Sequence, residues 1–413
     1  MSNLRSGDVT PSFGLLRQPR EVVFGSGQRG AAAAIAREIG SRVAVITDRR
    51  MSEQPFFNEL LTQLSQAGGS ATVFMDTEPD LPVANIATAT AKLSDSEPEV
   101  ILGVGGGSCI DLAKLVSLML THGGAVSDYY GEFKVPGKTL PVVAVPTTAG
   151  TGSEVTSVAV VSDPALEMKV GISSPHLIPH AAVVDPELTA SAPSSLTATT
   201  GIDALAHLIE AFTSVTRPES ATLRSERVFV GKGSLTDHYA LWGIGLVGQS
   251  LRTAVATGGM GQHRIDMMMA SLCGGFCLST AGTSIAHALQ YPVGAVTHTP
   301  HGLGIGCLLP YTLAFNRRAV PDEMEQVCVA LGIPPGVDAG RTTVTAIAEL
   351  TAAIGIPRTL ADLGVRPDQL DRIAEQSLLA RRLVDNNPIL FDLEAARLVT
   401  KAAYRGDLNS LLS

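Results

Sequence analysis

Between residues 21 and 145, short apolar runs alternate with helix-length segments, and this alternation limits the possible folds more than any other feature of the chain. Glu21-Val-Val-Phe24, Val43-Ala-Val-Ile-Thr47, Ala71–Phe74, Val100–Val104 and Pro141–Val145 read as strands. Residues 31–39, 55–67, 83–93 and 108–120 read as helices between them. Such a repeat builds a parallel sheet with helices on both faces. Beyond about residue 193 the strand signal stops. Residues 195–213, 237–257, 264–290, 303–316, 342–354, 367–380 and 393–403 all read as helices. At 413 residues the chain exceeds one ordinary core. We therefore expect an α/β domain over residues 1–193 and an all-helical domain over 194–413, with the boundary in Ser191-Ala-Pro-Ser194. Residues 217–233 form an irregular polar segment, and no internal repeat or low-complexity tract is visible.

Composition narrows the partners. Hydrophobic residues make up 45% and charged ones 17%, a globular balance. A net charge of −9 without any basic run argues against nucleic acid and anionic membrane. No apolar run reaches the ~18 residues of a membrane span, and charges and prolines interrupt residues 1–24, so no signal-peptide core is expected. Five cysteines at irregular spacing fit a reduced, cytoplasmic setting. Cys273 and Cys277 share a helix face and read as small core residues.

Two regions carry chemistry. Asp203 and His207 stand four apart in a helical stretch, so carboxylate and imidazole can converge on one point. His287, read at a helix end, and His301, read in the following loop, offer two more imidazoles. One carboxylate and three imidazoles form a ligand set suited to Fe²⁺ or Zn²⁺. Taken singly, each histidine would read as a local packing or capping residue. Two glycine clusters compete for a nucleotide. Gly25-Ser-Gly-Gln-Arg-Gly30 is a formal GxGxxG with Asp48 further on, whereas Gly105-Gly-Gly107 follows a buried strand. Ser108 and Asp111 there are spaced as a capping box, and a glycine loop with free amides at a helix start binds phosphate. Asp48 ends the second strand, where an acid accepts hydrogen bonds from ribose and repels a 2′-phosphate, favouring NAD over NADP; the adjacent Arg49 and Arg50 weigh the other way.

Four segments in order resemble the iron-containing (group III) alcohol dehydrogenases: Gly105-Gly-Gly-Ser-Cys-Ile-Asp111, Pro146-Thr-Thr-Ala-Gly-Thr-Gly-Ser-Glu154, Gly201-Ile-Asp-Ala-Leu-Ala-His207, and His287 with Thr299-Pro-His-Gly302. The resemblance implies a Rossmann-like nucleotide domain followed by a helical metal domain, as in dehydroquinate synthase-like architectures. It assigns the cofactor phosphates to Gly106, Gly107 and Ser108, with Asp111 in the same motif, which reduces the first glycine cluster to a structural turn. It gives further cofactor contacts to Thr147, Thr148 and Thr151, sets Lys169 near the nicotinamide ribose, and makes Asp203, His207, His287 and His301 the metal ligands.

The implied activity is metal-dependent hydride transfer between an alcohol and its aldehyde, or a hydroxy acid and its oxo acid, and NAD. A hydroxyacid–oxoacid transhydrogenase with retained NAD is the alternative, followed by a dehydroquinate synthase-like lyase. The expected partner is a small molecule and the expected assembly a homodimer or higher homo-oligomer. Two positions depart from the family. Glu78-Pro-Asp80 replaces a Pro-Asn-Pro, and Tyr291 stands where many members carry a second histidine held to relay protons. Tyr291 and His298, three residues before His301, are then the candidates for proton transfer, although His298 also reads as a solvent-facing loop residue.

Overall fold

The computed structural model describes residues 13–413 apart from Glu167; residues 1–12, part of the stretch read as lacking a signal-peptide core, lie outside the described residues. The first half runs β1 (Glu21–Phe24), α1 (Ala31–Ile39), β2 (Arg42–Ile46), α2 (Arg49–Ser52), α3 (Pro55–Gln66), β3 (Ser70–Phe74), α4 (Val83–Ser94), β4 (Val100–Gly105) and α5 (Gly107–His122). It continues through β5 (Gly131–Glu132), β6 (Val142–Pro146), β7 (Val158–Asp163), β8 (Met168–Ser173) and β9 (Ala181–Val184). Six strands pair in parallel in the order β1-β9-β6-β4-β2-β3. β4 and β6 are buried along their whole length, as a strand covered by helices on both faces must be. Side chains of α1 and α3 pack on one face, those of α4 and α5 on the other.

The chain therefore leaves β2 toward one face and β4 toward the opposite one. These two strands are neighbours, so a crevice opens at their carboxyl ends, the place where open α/β sheets bind ligands. Asp48 and Gly105–Gly107 stand at those ends, and Thr147 at the end of β6, which pairs with β4.

Four strands of this half escape the sequence reading. β7 and β8 form an antiparallel pair, with β5 on the edge of β8, and β9 inserts between β1 and β6. β9 is a four-residue Ala-Ala-Val-Val run, and β8 carries Lys169 and Gly171, so neither shows a long apolar or alternating pattern.

The remainder contains helices α6 (Ser194–Phe212), α7 (Leu223–Glu226), α8 (Ser234–Thr257), α9 (Gln262–Thr280), α10 (Ile285–Thr297) and α11 (His301–Asn316). Then follow α12 (Pro321–Ala330), α13 (Ala339–Ala353), α14 (Leu370–Ser377), α15 (Arg381–Val384), α16 (Leu393–Arg405) and α17 (Asn409–Leu412). Their apolar side chains share one large core around α6. The single helix expected over 264–290 is instead α9 and α10, bent by 100°. Gly282 takes φ +84° at the break, and the buried Asn386 amide donates to the carbonyls of Ala281 (3.0 Å) and Thr283 (3.1 Å), replacing helix bonds lost there. Among the described residues no single helix is long and apolar enough to cross a membrane.

The halves meet where the loop after β6 presses on α9. Gly152, at φ +62°, lies backbone to backbone with Gly275: a Cβ on Gly275 would come within 2.6 Å of the Gly152 carbonyl oxygen and 2.9 Å of its Cα. Neither backbone atom can swing aside as a flexible side chain would. Gly275→Ala should therefore destabilise the fold by about 1–3 kcal/mol, read as a lower thermal midpoint; an unchanged midpoint would mean that this contact is not tight.

Candidate active site

Helix α6 aims Asp203, His207 and Glu210 from one face into the buried core, where each is 3–4% exposed. His287 enters from the first turn of α10 and His301 from the first residue of α11, so both sit at helix starts, not at the helix end and loop expected from the sequence. The Nε2 atoms of His207, His287 and His301 lie 3.9, 3.6 and 3.7 Å from Asp203 Oδ1. Asp203, His287 and His301 offer ligand atoms all within 4.8 Å of one another, with His207 outside this closest group. Donors bound tetrahedrally to one Fe²⁺ or Zn²⁺ at ~2.0–2.2 Å stand roughly 3.3–3.6 Å apart, so the three would draw inward and His207 would swing toward them to complete such a site.

The backs of two imidazoles are already held. His207 Nδ1 lies 3.3 Å from the Gly150 carbonyl, and His287 Nδ1 donates to Glu210 Oε2 at 2.5 Å. Glu210 is itself fixed by the Ala286 amide (2.7 Å) and the Ser284 hydroxyl (3.1 Å). These contacts turn Nε2 of both rings forward. Asp203 Oδ1 and His287 Nε2 are buried without a hydrogen-bond partner, an expensive state for a polar atom unless a ligand completes it. The residues fit a divalent cation.

Electrostatics agree. Burial alone would raise the Asp203 carboxyl, but the surrounding imidazoles hold it well below the usual range. Burial would likewise depress His287, yet Glu210 and Asp203 outweigh it and lift the ring to about 9. His207 and His301 go down with burial, toward the neutral form that ligates metal. Two carboxylates in one buried cluster leave negative charge for a cation to neutralise.

The cluster opens into a cavity of about 170 Å³. Gly107, Ser108, Asp111 and Thr151 of the nucleotide loops line it together with Lys169, Tyr291 and the four ligand candidates. α5 begins at Gly107 behind Gly106, with no side-chain cap, so its first amides face the crevice. Gly105 has φ +149°, and a Cβ on Gly107 would lie 2.8 Å from Thr151 Cγ2. Thr148 borders Gly106, and the buried Thr147 hydroxyl has no partner. Asp48 Oδ1 caps α2 through the Met51 amide (2.8 Å), while Oδ2 faces Gly105. Arg49 is drawn away by Asp76 at 2.6 Å.

The capping box expected of Ser108 and Asp111 does not form. Asp111 instead bonds the Ser153 hydroxyl and the Val160 amide (2.9 Å), because Lys114 beneath it needs a counter-charge. Lys114 is fully buried, pushed down to about 8, and donates to Ser153, Thr156 and Val158. Gly27 and Arg29 amides of the first glycine cluster are taken by Asp185, in keeping with a structural turn.

Tyr291, one turn beyond His287, is buried in the cavity wall; burial raises its phenol, and the neighbouring Arg382 opposes that. His298 is not brought in: it is exposed, at φ +54°, closing the end of α10. Lys169 and Asp80 pair at 2.5 Å at the cavity edge. Sequence reasoning missed Glu210 and Arg382. Glu210 had a signal, its place three residues after His207 on the same face. Arg382 had none, lying far along the chain in what reads as an exposed Arg381-Arg382 pair.

Residues 19–186 match the iron-containing alcohol dehydrogenase profile, and residues 197–404 the C-terminal profile of the Fe-containing alcohol dehydrogenase family. The chain belongs to the iron-containing alcohol dehydrogenase family. Long-chain-alcohol dehydrogenase 1 of Geobacillus thermodenitrificans is 34% identical over 89% of this chain and 90% of its own. The crystal structure of a 1,3-propanediol oxidoreductase superposes with a TM-score of 0.88 at 29% identity, covering 95% of this chain and all of that one. A sulfoacetaldehyde reductase from Bifidobacterium kashiwanohense, solved with NAD⁺, gives 0.80 at 27% identity over 94% and 99%. The family fixes the reaction class as metal-dependent oxidoreduction of alcohols and aldehydes.

Because Glu210 sets the tautomer and direction of His287, Glu210→Gln should weaken binding of Fe²⁺ or Zn²⁺ by about 10- to 100-fold in calorimetric titration, with the fold retained by circular dichroism. Wild-type affinity in this variant would remove Glu210 from the site.

Proposed function

We propose that the chain holds one divalent cation, iron or zinc, on Asp203, His207, His287 and His301, and uses NAD to interconvert an alcohol and its carbonyl compound in the adjoining cavity. One observation carries this reading: unpartnered Asp203 Oδ1 and His287 Nε2 face the same cavity that the glycine loop of α5 lines. When bound, the cation supplies Lewis acidity toward the substrate oxygen.

The protein's own groups supply position. Amides of Gly107 and Ser108 at the start of α5 receive the cofactor's pyrophosphate, with Thr147, Thr148 and Thr151 offering hydroxyls beside it. Asp48 accepts from the adenosine ribose, and the pairing of Arg49 with Asp76 leaves a 2′-phosphate without that partner. Lys169, held by Asp80, borders the cavity where the nicotinamide ribose would lie. Tyr291 keeps its proton at neutral pH, since burial raises its phenol above the ordinary ~10, so it acts as a hydrogen-bond donor and not as a base.

Three outcomes test the reading. His207→Ala should lose most bound metal, and chelation should abolish NAD-linked turnover that Fe²⁺ or Zn²⁺ restores; full activity in the metal-free protein would refute it. Asp48→Ala should relax the preference for NAD over NADP by about tenfold, the effect of removing one nearby like charge; a wild type that prefers NADP would shift recognition to Arg49 and Arg50. Alcohol oxidation should climb toward alkaline pH without a limb near ~6.5, the ordinary imidazole value, and Tyr291→His should add that limb. A neutral limb in the wild type, lost in His298→Ala, would make His298 the proton carrier. Turnover only with a second carbonyl compound, on protein that retains NAD through purification, would favour the transhydrogenase.

A further inference from the structure

Arg382 and Lys169 are the arginine and lysine side chains among the described residues that line the cavity, and the charge of Arg382 is unbalanced. It is partly buried on α15, with Nη1 sealed from solvent and without a hydrogen-bond partner. Its neighbour Arg381 pairs with Asp385 at 3.2 Å on the surface, whereas Arg382 has no carboxylate within ion-pair distance among the described residues. The acids lining or bordering the cavity are otherwise engaged: Asp203 by imidazoles, Glu210 by His287 and Ala286, Asp111 by Ser153 and Val160, and Asp80 by Lys169.

The guanidinium is also fixed in place. Its Cζ lies 4.5 Å from the centroid of the buried Phe229 ring, and Nη2 rests against β8 at Gly171, where a Cβ would come within 3.4 Å. A rigid, partly desolvated guanidinium whose Nη1 has no partner is suited to hold an oxyanion by a charge-assisted hydrogen bond.

We propose that this wall is a subsite for an anionic group on the substrate, a carboxylate or sulfonate, with Arg382 as its anchor and the Tyr291 hydroxyl as a second donor. The inference rests on the alcohol–carbonyl reading above and narrows it to substrates bearing charge at one end. Tyr291 follows His287 by four residues, ~6 Å along the helix axis, so the subsite suits short substrates whose anion lies close to the reacting carbon.

The test is the NADH-dependent reduction of 4-oxobutanoate against butanal, and of sulfoacetaldehyde against propanal, by the metal-loaded enzyme. The wild type should favour the charged member of at least one pair by about tenfold or more in kcat/KM, and that pair identifies the anion. Arg382→Gln should cut this ratio by about 10- to 100-fold, the size of one charge-assisted contact, and Arg382→Lys should restore part of it. An unaltered ratio, a wild-type preference for both neutral aldehydes, or equal losses accompanied by weaker NADH binding would overturn the proposal, the last by assigning Arg382 to the cofactor. Calorimetry with 4-hydroxybutanoate and 2-hydroxyethanesulfonate gives a readout free of turnover. Binding of either to the wild type but not to Arg382→Gln supports the subsite even if no aldehyde is reduced, an outcome that would sink the functional reading instead. Binding of neither overturns the subsite.

Discussion

The structure depends on a buried carboxylate oxygen, Asp203 Oδ1, around which three imidazole nitrogens gather within 3.9 Å. A globular core does not ordinarily tolerate such a group unpaired, because each desolvated polar atom without a partner costs on the order of 1–3 kcal/mol. On the proposed reading, a cation that joins the four donors would make the arrangement favourable and would couple folding of the helical half to metal binding. Glu210 matters for the same reason. It holds His287 so that Nε2 faces Asp203, and its own oxygens are satisfied by the turn that begins α10.

From that point the rest of the architecture can be understood as support. α6 supplies three of the polar groups because positions 203, 207 and 210 share one face, while its other faces bury Ile202, Leu205, Leu208 and Ile209 in the large helical core. The 100° break between α9 and α10 turns the chain so that His287 enters at a helix start. Close packing of Gly152 on Gly275 then sets the nucleotide loops against this cluster, with Gly150 touching His207 from the α/β side. One cavity can thus be lined by the start of α5 and by the imidazoles together.

Much of this was legible in the chain. The five strands read from apolar runs all lie in the parallel sheet, and the helical stretch carrying Asp203 and His207 is α6 within a residue or two at its ends. Ligand candidates separated by up to 98 positions do come together. The misses have physical causes. β9 is too short and Ala-rich to stand out, and the α9–α10 break depends on Gly282 and on Asn386, about a hundred residues away. Asp111 carries the spacing of a cap, but Lys114 and Ser153 claim it, a contest decided by tertiary contacts that no local pattern contains. Arg382 belongs to the same class, since only packing carries it from α15 into the cavity.

The most direct test of the account is anomalous diffraction from crystals grown with Fe²⁺ or Zn²⁺. We expect a single strong peak within ~2.0–2.2 Å of an Asp203 carboxylate oxygen and of Nε2 on His207, His287 and His301, with His287 Nδ1 still bonded to Glu210. A metal held by other residues, or bound through His287 Nδ1 with Glu210 released, would contradict it.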